Sequence, residues 1–501
     1  MAPRVDALSS RTSAWISVSM GALSGALMAA SMPPLPTGLV AFVSLVPLLA
    51  AVARAHRPVH AALSGLACGS VFFAGCTYWV ALVLTNYGRV SMLVAVLVTM
   101  LFVLYLALFP MIFAWAVRRV KDRWAAIWLG LAPFVWVGTE HLRTWLFTGF
   151  PWCLLGYSQA SLLPVAQVAS LGGVYAVSLL AAMVSAGLFA LYNRQVGLGA
   201  CAIAGVALFA AWGRLQLSSY PAAGSSLRIG VVQPCAPPVL ASLEETAASM
   251  DRHVRLTREI PSADLIVWPE NSLVRDVSQF RFFRENIRAA ASGARAPILV
   301  NSIEEVGPDV YNSSVLVSPA NEEYPRYDKM HLVPFGEYVP LKSVLRFAGK
   351  VLQEVSDFSP GQRRVLFEVA GARFACAICY EIIYPGEVAA FVRDGAVFLV
   401  TQSNDSWYGN TVMPPQHNAM AAFRAIENRR YLVRATNSGI SSVVDPAGRV
   451  VTSTRLGDAT AFAAEVRPSR EFSPYTRSHD AFAWACLALS LAALAATFLR
   501  L

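Results

Sequence analysis

One uninterrupted apolar stretch decides the class of the protein. Residues 90–117 have the sequence VSMLVAVLVTMLFVLYLALFPMIFAWAV and contain no Asp, Glu, Lys or Arg. A helix of about 20 residues rises about 30 Å, which matches the hydrocarbon core of a bilayer. The stretch is therefore long enough to cross a membrane as a helix.

The composition of the whole chain supports the same class. Of its 501 residues, 56% are hydrophobic and 14% are charged, whereas soluble domains carry about 25% charged residues. Further charge-free runs lie on both sides of residues 90–117, and the first of them is divided by the prolines at 33, 34 and 36. We predict eight transmembrane helices, over residues 13–31, 37–53, 58–88, 90–117, 124–139, 163–191, 195–213 and 481–499, with a re-entrant or loop piece after residue 144.

The distribution of charge indicates how these helices are oriented. Residues 1–214 contain 12 basic residues (Lys and Arg together) and 3 acidic residues (Asp and Glu together), whereas residues 215–478 contain 27 basic and 27 acidic residues. Lys and Arg accumulate in short cytoplasmic loops. If the N-terminus is cytoplasmic, most of the Lys and Arg residues between the predicted helices lie in cytoplasmic loops. The short outer loops then contain only Arg89, Arg143 and Arg214. Residues 215–478 are then predicted to lie outside. Their balanced charge argues against nucleic-acid binding, which needs a net positive surface.

Residues 225–470 alternate short apolar strands with amphipathic helices, a pattern typical of an α/β domain. The domain boundaries that we predict are a membrane domain at 1–214 with seven transmembrane helices, an α/β domain at 225–470 and a C-terminal transmembrane helix at 479–501. The candidate helices are 239–259, 276–292 and 416–428. The candidate strands are Leu227–Gln233, Leu265–Trp268, Ile298–Asn301, Ser314–Ser318, Arg373–Cys379, Val397–Gln402, Tyr431–Thr436 and Ser441–Asp445.

Three polar residues, Glu270, Lys329 and Cys379, each lie close to the end of an apolar strand. The ends of strands are where α/β sheets present functional sites. A cysteine attacks as a thiolate, so it needs a base, and a nearby carboxylate can serve. A lysine can stabilise the negative oxygen of a tetrahedral intermediate. Taken one at a time, a glutamate after a strand is more often a solvated loop residue, and a lysine or a cysteine can equally be a surface charge or a core residue.

Several other patterns receive a structural interpretation. The eight cysteines are too sparse for a disulfide scaffold, and no His/Cys spacing typical of a metal site is present. In the Cys-x-x-Cys at 376–379, positions three apart on a strand face opposite sides, so Cys376 is predicted to be a core residue. Arg424 and Glu427, three apart on a predicted helix, are interpreted as an ordinary helix-face pair.

The order of the three candidate residues, with their flanking sequence, resembles the carbon–nitrogen hydrolase, or nitrilase, superfamily. The matching segments are Trp-Pro-Glu-Asn at 268–271, Lys-Met-His-Leu-Val-Pro-Phe-Gly-Glu-Tyr-Val-Pro at 329–340 and Ile-Cys-Tyr-Glu at 378–381. The eight predicted helices, Phe-Pro-Trp at 150–152 and Ser-Asn-Asp-Ser-Trp-Tyr-Gly at 403–409 are similar to the apolipoprotein N-acyltransferase family within it.

This resemblance implies a helical membrane domain and a periplasmic four-layer αββα sandwich on a bacterial inner membrane. It implies transfer of an acyl chain from a phospholipid, typically phosphatidylethanolamine, through a cysteine thioester to the N-terminal amine of a diacylated apolipoprotein, without a metal or other cofactor. Glu270 would be the general base, Lys329 the oxyanion stabiliser and Cys379 the nucleophile. The supporting or substrate-binding residues that it implies are Glu337, Tyr380, Glu381, Trp152, Asn404 and Trp407.

Two alternatives use the same observations. A membrane-anchored nitrilase-type amidase would use the same three residues but pass the acyl group to water. A transporter with an exported binding domain would need ionisable residues inside its spans, and residues 12–53, 58–88 and 90–117 contain no Asp, Glu, Lys or Arg. The apolar positions of residues 341–352 recur with a helical period, which predicts either a core helix or an amphipathic lid over the site.

Overall fold

The chain forms two compact units in the computed structural model, which describes residues 3–88, 90–218, 225–239, 242–274, 276–277, 279–319, 324–339 and 357–499. A helical unit comprises Met1–Ser219 and Ser478–Leu501, and an α/β unit comprises Tyr220–Arg477. The amphipathic segment predicted at 341–352 lies outside the described residues.

The helical unit contains helix in every segment for which a transmembrane span is predicted. The predicted spans 37–53, 58–88 and 163–191 are each divided into shorter helices. Turns of 3₁₀ helix lie at Gly38–Val40, Leu146–Thr148 and Leu155–Ser161. The helices are α1 (Pro3–Ser31), α2 (Ala41–Ser44), α3 (Val46–Arg54), α4 (Pro58–Thr77), α5 (Trp79–Asn86), α6 (Met92–Arg123), α7 (Trp128–Trp145), α8 (Leu163–Ala166), α9 (Ala169–Tyr192), α10 (Val196–Ser218) and a final helix at Ala481–Ala496.

Within the described residues, four helices, α4, α6, α9 and α10, are long and apolar enough to cross a membrane. Shorter apolar helices lie at Trp15–Ser31, Gly38–Arg54 and Ala481–Ala496. The helical, apolar character of this unit is thus established, and the count of eight spans stays a prediction.

Helix α7 extends beyond the predicted end near Thr139, because the charged residues that follow are buried and hydrogen-bonded. The backbone N–H of Leu155 donates to Glu140 Oε1 at 2.7 Å. Arg143 Nη1 donates to the carbonyl oxygens of Phe150 at 2.8 Å and Trp152 at 2.7 Å. The prediction of Arg143 in an outer loop was therefore wrong: its side chain is buried inside the unit and fixes the irregular segment after α7.

Helices α1, α4 and α6 approach each other closely at glycines. A Cβ atom on Gly25 of α1 would lie 2.2 Å from the carbonyl oxygen of Cys68 in α4. A Cβ on Gly65 of α4 would lie 2.2 Å from the carbonyl oxygen of Pro110 in α6. Small residues allow helices in membranes to pack backbone against backbone, where apolar burial gives little drive for association. These three helices are therefore held by close backbone contact.

The final helix packs on α7. Gly138 of α7 faces it, and a Cβ there would lie 2.8 Å from Ser490 Oγ. The Ser490 hydroxyl donates to the carbonyl oxygen of Phe134 at 3.2 Å, and the Trp484 ring lies 4.5 Å from that of His141. This C-terminal helix therefore belongs to the same unit as the ten helices at the start of the chain.

The α/β unit is built from two six-stranded sheets. Their orders are β12-β1-β2-β3-β4-β5 and β11-β10-β9-β8-β7-β6. The helices are α11 (Leu243–Arg258), α12 (Arg281–Ala294), α13 (Pro385–Arg393), α14 (Met413–Asn428) and α15 (Pro474–Ser478). The strands are β1 (Leu227–Gln233), β2 (Leu265–Val267), β3 (Ile298–Val306), β4 (Asp309–Val317), β5 (Arg326–Asp328), β6 (Phe367–Val369), β7 (Ala372–Ile378), β8 (Phe398–Ser403), β9 (Leu432–Thr436), β10 (Ser442–Val444), β11 (Val450–Ser453) and β12 (Thr460–Val466).

The two sheets pack face to face, with helices on their outer faces. Strands β1, β2 and β3 are parallel neighbours, as are β7, β8 and β9. Between the sheets, Gln402 Nε2 donates to the carbonyl oxygen of Trp268 at 2.7 Å. Helices α11 and α12 share a buried core with the first sheet, and α13 and α14 contact the second. This is the helix–sheet–sheet–helix sandwich that the resemblance implies.

Candidate active site

The three candidate catalytic residues follow strands of the two facing sheets. Glu270 comes three residues after β2, Lys329 directly after β5 and Cys379 directly after β7. The backbone N–H of Lys329 also donates to the carbonyl oxygen of Asn312 in β4 at 2.8 Å, which fixes the residue at the edge of the sheet. Side chains from both sheets therefore reach one site.

A buried cation lies between two carboxylates at this site. Lys329 is 1% exposed, and its Nζ lies 3.3 Å from Glu270 Oε1 and 2.9 Å from Glu337 Oε1. Asn312 Nδ2 donates to the same two oxygens, at 3.1 Å and 2.9 Å. A lysine and an amide thus hold the two glutamates together.

The second oxygen of each carboxylate accepts a backbone hydrogen bond. The N–H of Asn404 donates to Glu270 Oε2 at 2.9 Å, and the N–H of Val333 donates to Glu337 Oε2 at 2.8 Å. A carboxylate held at both oxygens keeps one orientation, which a general base requires. The structure therefore provides a fixed carboxylate in Glu270.

Lys329 carries a positive charge in this setting. Burial alone would lower the pKa of Lys329, but the carboxylates of Glu337 and Glu270 outweigh burial and hold the pKa well above its ordinary value. The ammonium group is therefore available to stabilise a negative oxygen that develops during acyl transfer.

Cys379 lies at a strained turn, with φ 52°, in the left-handed region that few residues other than glycine adopt. Burial, followed by the charge of Glu270, raises the pKa of the Cys379 thiol, while Lys329 opposes the shift. Both charged residues therefore act on the thiol electrostatically. The thiol is protonated at neutral pH and requires a base to become a nucleophile.

Glu381 connects the segment after Lys329 to the turn at Cys379. Its Oε1 accepts from the backbone N–H of Met330 at 2.7 Å, and its Oε2 accepts from that of Ile378 at 2.7 Å. Burial raises the pKa of Glu381 to about 7, although its hydrogen bonds oppose the shift. Glu381 therefore fixes Cys379 and Lys329, the candidate nucleophile and cation, relative to each other.

The other residues predicted to support the site lie in different places. Tyr380, next to the nucleophile, is half-buried, with its ring 5.6 Å from that of His331. Asn404 reaches Glu270 through its backbone, and Trp407 lies half-buried in the short turn that follows. Trp152 belongs to the helical unit, where it is buried and stacks on Phe150 at 5.8 Å.

Five residues of the site were not named as candidates in the sequence. Each lies within hydrogen-bond distance of Glu270 or Cys379, or of a residue that is itself hydrogen-bonded to one of these two. Asp405 follows Asn404 in a segment quoted above, so its position was a usable signal. Arg434 interrupts an apolar strand, which was a second signal. Ser403 begins the same segment, and nothing in the sequence marks Asn312 or His417. The five are Asn312, Ser403, Asp405, His417 and Arg434.

Two structural interpretations can be compared with the structure. Cys376 is a core residue, as predicted: it is fully buried, and burial raises its pKa to about 12. The interpretation of Arg424 and Glu427 as an ordinary helix-face pair was wrong. The two pair at 2.6 Å with both side chains fully buried, and Arg424 Nη1 donates to the carbonyl oxygen of Ile383 at 3.1 Å. The pair therefore fixes the chain beyond Cys379.

Among the described residues, no group of three or more His, Cys, Asp or Glu side chains is arranged to hold a metal ion. A four-layer sandwich with a glutamate, a lysine and a cysteine at its strand ends defines the carbon–nitrogen hydrolase class, and residues 228–470 match the family described as carbon-nitrogen hydrolase. Residues 24–187 match the family described as apolipoprotein N-acyltransferase N-terminal domain.

Comparison with relatives that align over most of the chain identifies the family more specifically. The chain is 34% identical over 500 residues to an apolipoprotein N-acyltransferase of Geobacter metallireducens, covering 96% of this chain and 95% of the relative. It is 33% identical to one of Nitrosomonas europaea, covering 88% and 89%. A solved CN-hydrolase superfamily protein of Xanthomonas campestris aligns with 18% identity and a TM-score of 0.38, over 53% of this chain and 97% of that one. The chain belongs to the apolipoprotein N-acyltransferase family.

Proposed function

We propose that this protein moves an acyl chain from a phospholipid, through a thioester on Cys379, to the N-terminal amine of an S-diacylglyceryl-cysteine apolipoprotein. This step completes the maturation of a lipoprotein. The observation that carries the proposal is the buried Lys329 between Glu270 and Glu337, at the strand ends beside a buried thiol. The same chain carries an apolar helical unit suited to lipid substrates.

In the first half-reaction, Glu270 takes the proton of the Cys379 thiol as the sulfur attacks the ester carbonyl of the phospholipid. The carbonyl oxygen becomes negative, and the ammonium group of Lys329 stabilises it. The C–O bond then breaks, and the lysophospholipid leaves with the proton that Glu270 returns to its oxygen. The acyl group remains on the enzyme as a thioester.

In the second half-reaction, the neutral amine of the apolipoprotein attacks the thioester carbonyl. The C–N bond forms, Glu270 accepts a proton from the nitrogen, and the C–S bond breaks. The departing thiolate takes the proton from Glu270, which restores the free enzyme. The two lipid substrates therefore visit one site in turn, and the proposed chemistry uses no cofactor.

The acceptor distinguishes this proposal from the amidase alternative. Hydrolysis would use the same three residues with water as the acceptor, but it gives no reason for a large apolar helical unit in the same chain. The relatives named apolipoprotein N-acyltransferase extend over both units, which favours transfer to an amine over hydrolysis of a small amide.

The proposed setting is a bacterial inner membrane that the chain crosses eight times. The membrane domain would comprise residues 1–214, the catalytic domain 225–470 would face the periplasm, and 479–501 would form the last span. Phosphatidylethanolamine is the donor that we propose. This arrangement places the catalytic residues on the side where the inner-membrane surface meets exported lipoproteins.

The first half-reaction needs no acceptor, so it can be tested alone. Purified protein incubated with phosphatidylethanolamine vesicles should gain the mass of one acyl chain, and neutral hydroxylamine should remove it. Cys379→Ser should abolish the adduct, because a hydroxyl is far harder to deprotonate than a thiol. Cys376→Ser, on the strand that leads to Cys379, is the matched control and should keep the adduct.

Addition of a diacylated lipopeptide should then move the acyl chain to the peptide. Release of free fatty acid, with the peptide unchanged, would support the amidase alternative. An adduct that maps to Cys376, or that survives Cys379→Ser, would overturn the mechanism.

A further inference from the structure

A buried charged cluster that the proposed mechanism does not use lies directly behind the nucleophile. It consists of Asp405 after β8, His417 on α14 and Arg434 on β9. None of the three is more than 1% exposed. Charged groups are rarely buried so completely unless they are paired, so the contacts of this cluster indicate what it holds in place.

Arg434 and Asp405 form the base of the cluster. Arg434 Nη2 lies 2.7 Å from Asp405 Oδ2 and also 3.0 Å from His417 Nδ1. The Ser403 hydroxyl donates to Asp405 Oδ1 at 2.8 Å. Burial alone would raise the pKa of Asp405, but Arg434 and His417 outweigh burial and hold it well below its ordinary value, so the carboxylate is ionised.

The neighbours of the two ring nitrogens indicate which of them carries the proton of His417. Its Nε2 lies 3.3 Å from the carbonyl oxygen of Cys379, which can only accept a hydrogen bond. Burial and the neighbouring Arg434 lower the pKa of His417, so the ring is neutral and carries one proton. Nδ1 lies 3.0 Å from Arg434 Nη2, which can only donate, and 3.2 Å from Asp405 Oδ1. With Nδ1 accepting from Arg434, the proton lies on Nε2 and is donated to the carbonyl oxygen of Cys379.

The cluster reaches Cys379 at a second point. Ser403 Oγ lies 3.4 Å from the Cys379 sulfur. Ser403 therefore links the thiol to Asp405, and His417 links the main-chain carbonyl of the same cysteine to Arg434. The cluster, together with Ser403, thus holds both the backbone and the side chain of the nucleophile.

Such support matters because Cys379 has a φ of 52°. A residue with a Cβ atom adopts this conformation only where its surroundings hold it. Release of the carbonyl would allow the backbone to relax and would move the sulfur away from the fixed Glu270.

We infer that Asp405, His417 and Arg434 are positioning residues for the nucleophile, acting through the Nε2–H of His417 on the Cys379 carbonyl and through Ser403 on its sulfur. The inference rests on the proposed role of Cys379. It assigns a function to a cluster for which the proposed mechanism has no role.

Two substitutions of His417 separate the donor from the rest of the side chain. His417→Gln can place an amide N–H where Nε2 lies, whereas His417→Asn can keep a polar group near Nδ1 but cannot reach the Cys379 carbonyl. The readout is the rate at which iodoacetamide alkylates Cys379 in the full-length protein, mapped by mass spectrometry. The rate of thioester formation from phosphatidylethanolamine and the Tm are measured alongside.

We expect His417→Asn to slow both reactions about tenfold or more, with an unchanged KM for phospholipid, and His417→Gln to recover most of the rate. Ser403→Ala should also slow alkylation, at a Tm close to that of the unchanged protein, and this variant keeps the test decisive if His417→Asn does not fold. Ser442→Ala is the matched control, because Ser442 is equally buried but bonds Asn418 instead.

Equal rates for the Gln and Asn variants, or unchanged alkylation in Ser403→Ala, would overturn the inference. Alkylation needs no lipid, so its result stands even if the unchanged protein forms no thioester. If no thioester forms, the proposed acyl transfer is contradicted. The alkylation rates still show whether the cluster positions Cys379.

Discussion

Lys329 is the residue on which the proposed chemistry depends most directly, because it is the cation shared by two carboxylates. Lys329→Ala should slow thioester formation on the order of a hundredfold or more, since it removes the oxyanion stabiliser and leaves two glutamates facing each other. Glu270→Gln should have an effect of similar size, because the base is lost. Single-turnover measurement of acyl transfer to Cys379 checks both.

Lys329→Arg serves as the control for charge alone. A planar guanidinium does not replace a compact ammonium in a site with 1% exposure, so this variant should stay close to the Ala variant. Activity near that of the unchanged protein in either Lys329→Ala or Glu270→Gln would remove these residues from the proposed mechanism.

His253 allows a test of pH dependence away from the catalytic site. Its ring lies 4.8 Å from that of Trp268, and burial lowers its pKa to about 4 from the ordinary 6.5. Between these pH values the unfolded chain binds a proton that the folded chain does not. The stability of the fold therefore falls as pH falls through this window, by on the order of 3 kcal/mol.

His253→Phe should remove this acid sensitivity while keeping a ring against Trp268. The Tm of the variant relative to that of the unchanged protein, followed from pH 7 to pH 4.5, should rise steadily as the pH is lowered. If the Tm of the two proteins changes with pH in parallel, His253 has the same pKa in the folded and unfolded states.

The sequence allowed prediction of those site residues that lie in recognisable segments, Glu270, Lys329, Glu337 and Cys379. It did not reveal His417 or Asn312. These two act through contacts between elements distant in the chain, and a single His on a helix or Asn on a strand has many ordinary roles. Their function is a property of how the strands and α14 are brought together.

At the scale of elements, prediction from sequence succeeded in the middle of each sheet and failed at its edges. Every interior strand was predicted, because strands buried on both faces are continuously apolar. The four strands that were missed are the four edges, β5, β6, β11 and β12. Two of them have only three residues, and the other two are largely or partly exposed, so their apolar pattern is weak.

Close helix packing at glycine leads to a prediction for α4. Gly65→Leu should lower stability by about 1–3 kcal/mol or more, because the side chain would meet the backbone of α6 at Pro110. Gly205→Leu on α10 is the control, since a Cβ there has no described atom within 4 Å. Tm values of the purified variants in detergent check this. An equal decrease in Tm for the two variants would show that the packing of α4 on α6 does not depend on backbone contact at Gly65.

At the scale of the whole molecule, the first and last strands of the α/β unit are paired with each other. Leu227 at the start of β1 is paired with Val466 at the end of β12. The unit is inserted in sequence between the tenth helix and the final helix of the helical unit, and its first and last strands are neighbours, which keeps the entropy cost of such an insertion small.

The proposed topology makes this insertion periplasmic. A reporter fused after residue 220 should be active only in the periplasm, and one fused after Leu501 only in the cytoplasm, because an odd number of spans would precede the first and an even number the second. The opposite pair of results would exclude the eight-span arrangement.

The contact of the final helix with α7 has a consequence for the order of biogenesis. While the ribosome is still making the α/β unit, Gly138 and His141 lack the partner that later covers them, Ser490 and Trp484 respectively. Domains generally fold as they are synthesised, so the helical unit, although begun first, is the last to be finished. A chain that stops after Arg477 would contain every catalytic residue proposed here and still lack a complete bundle.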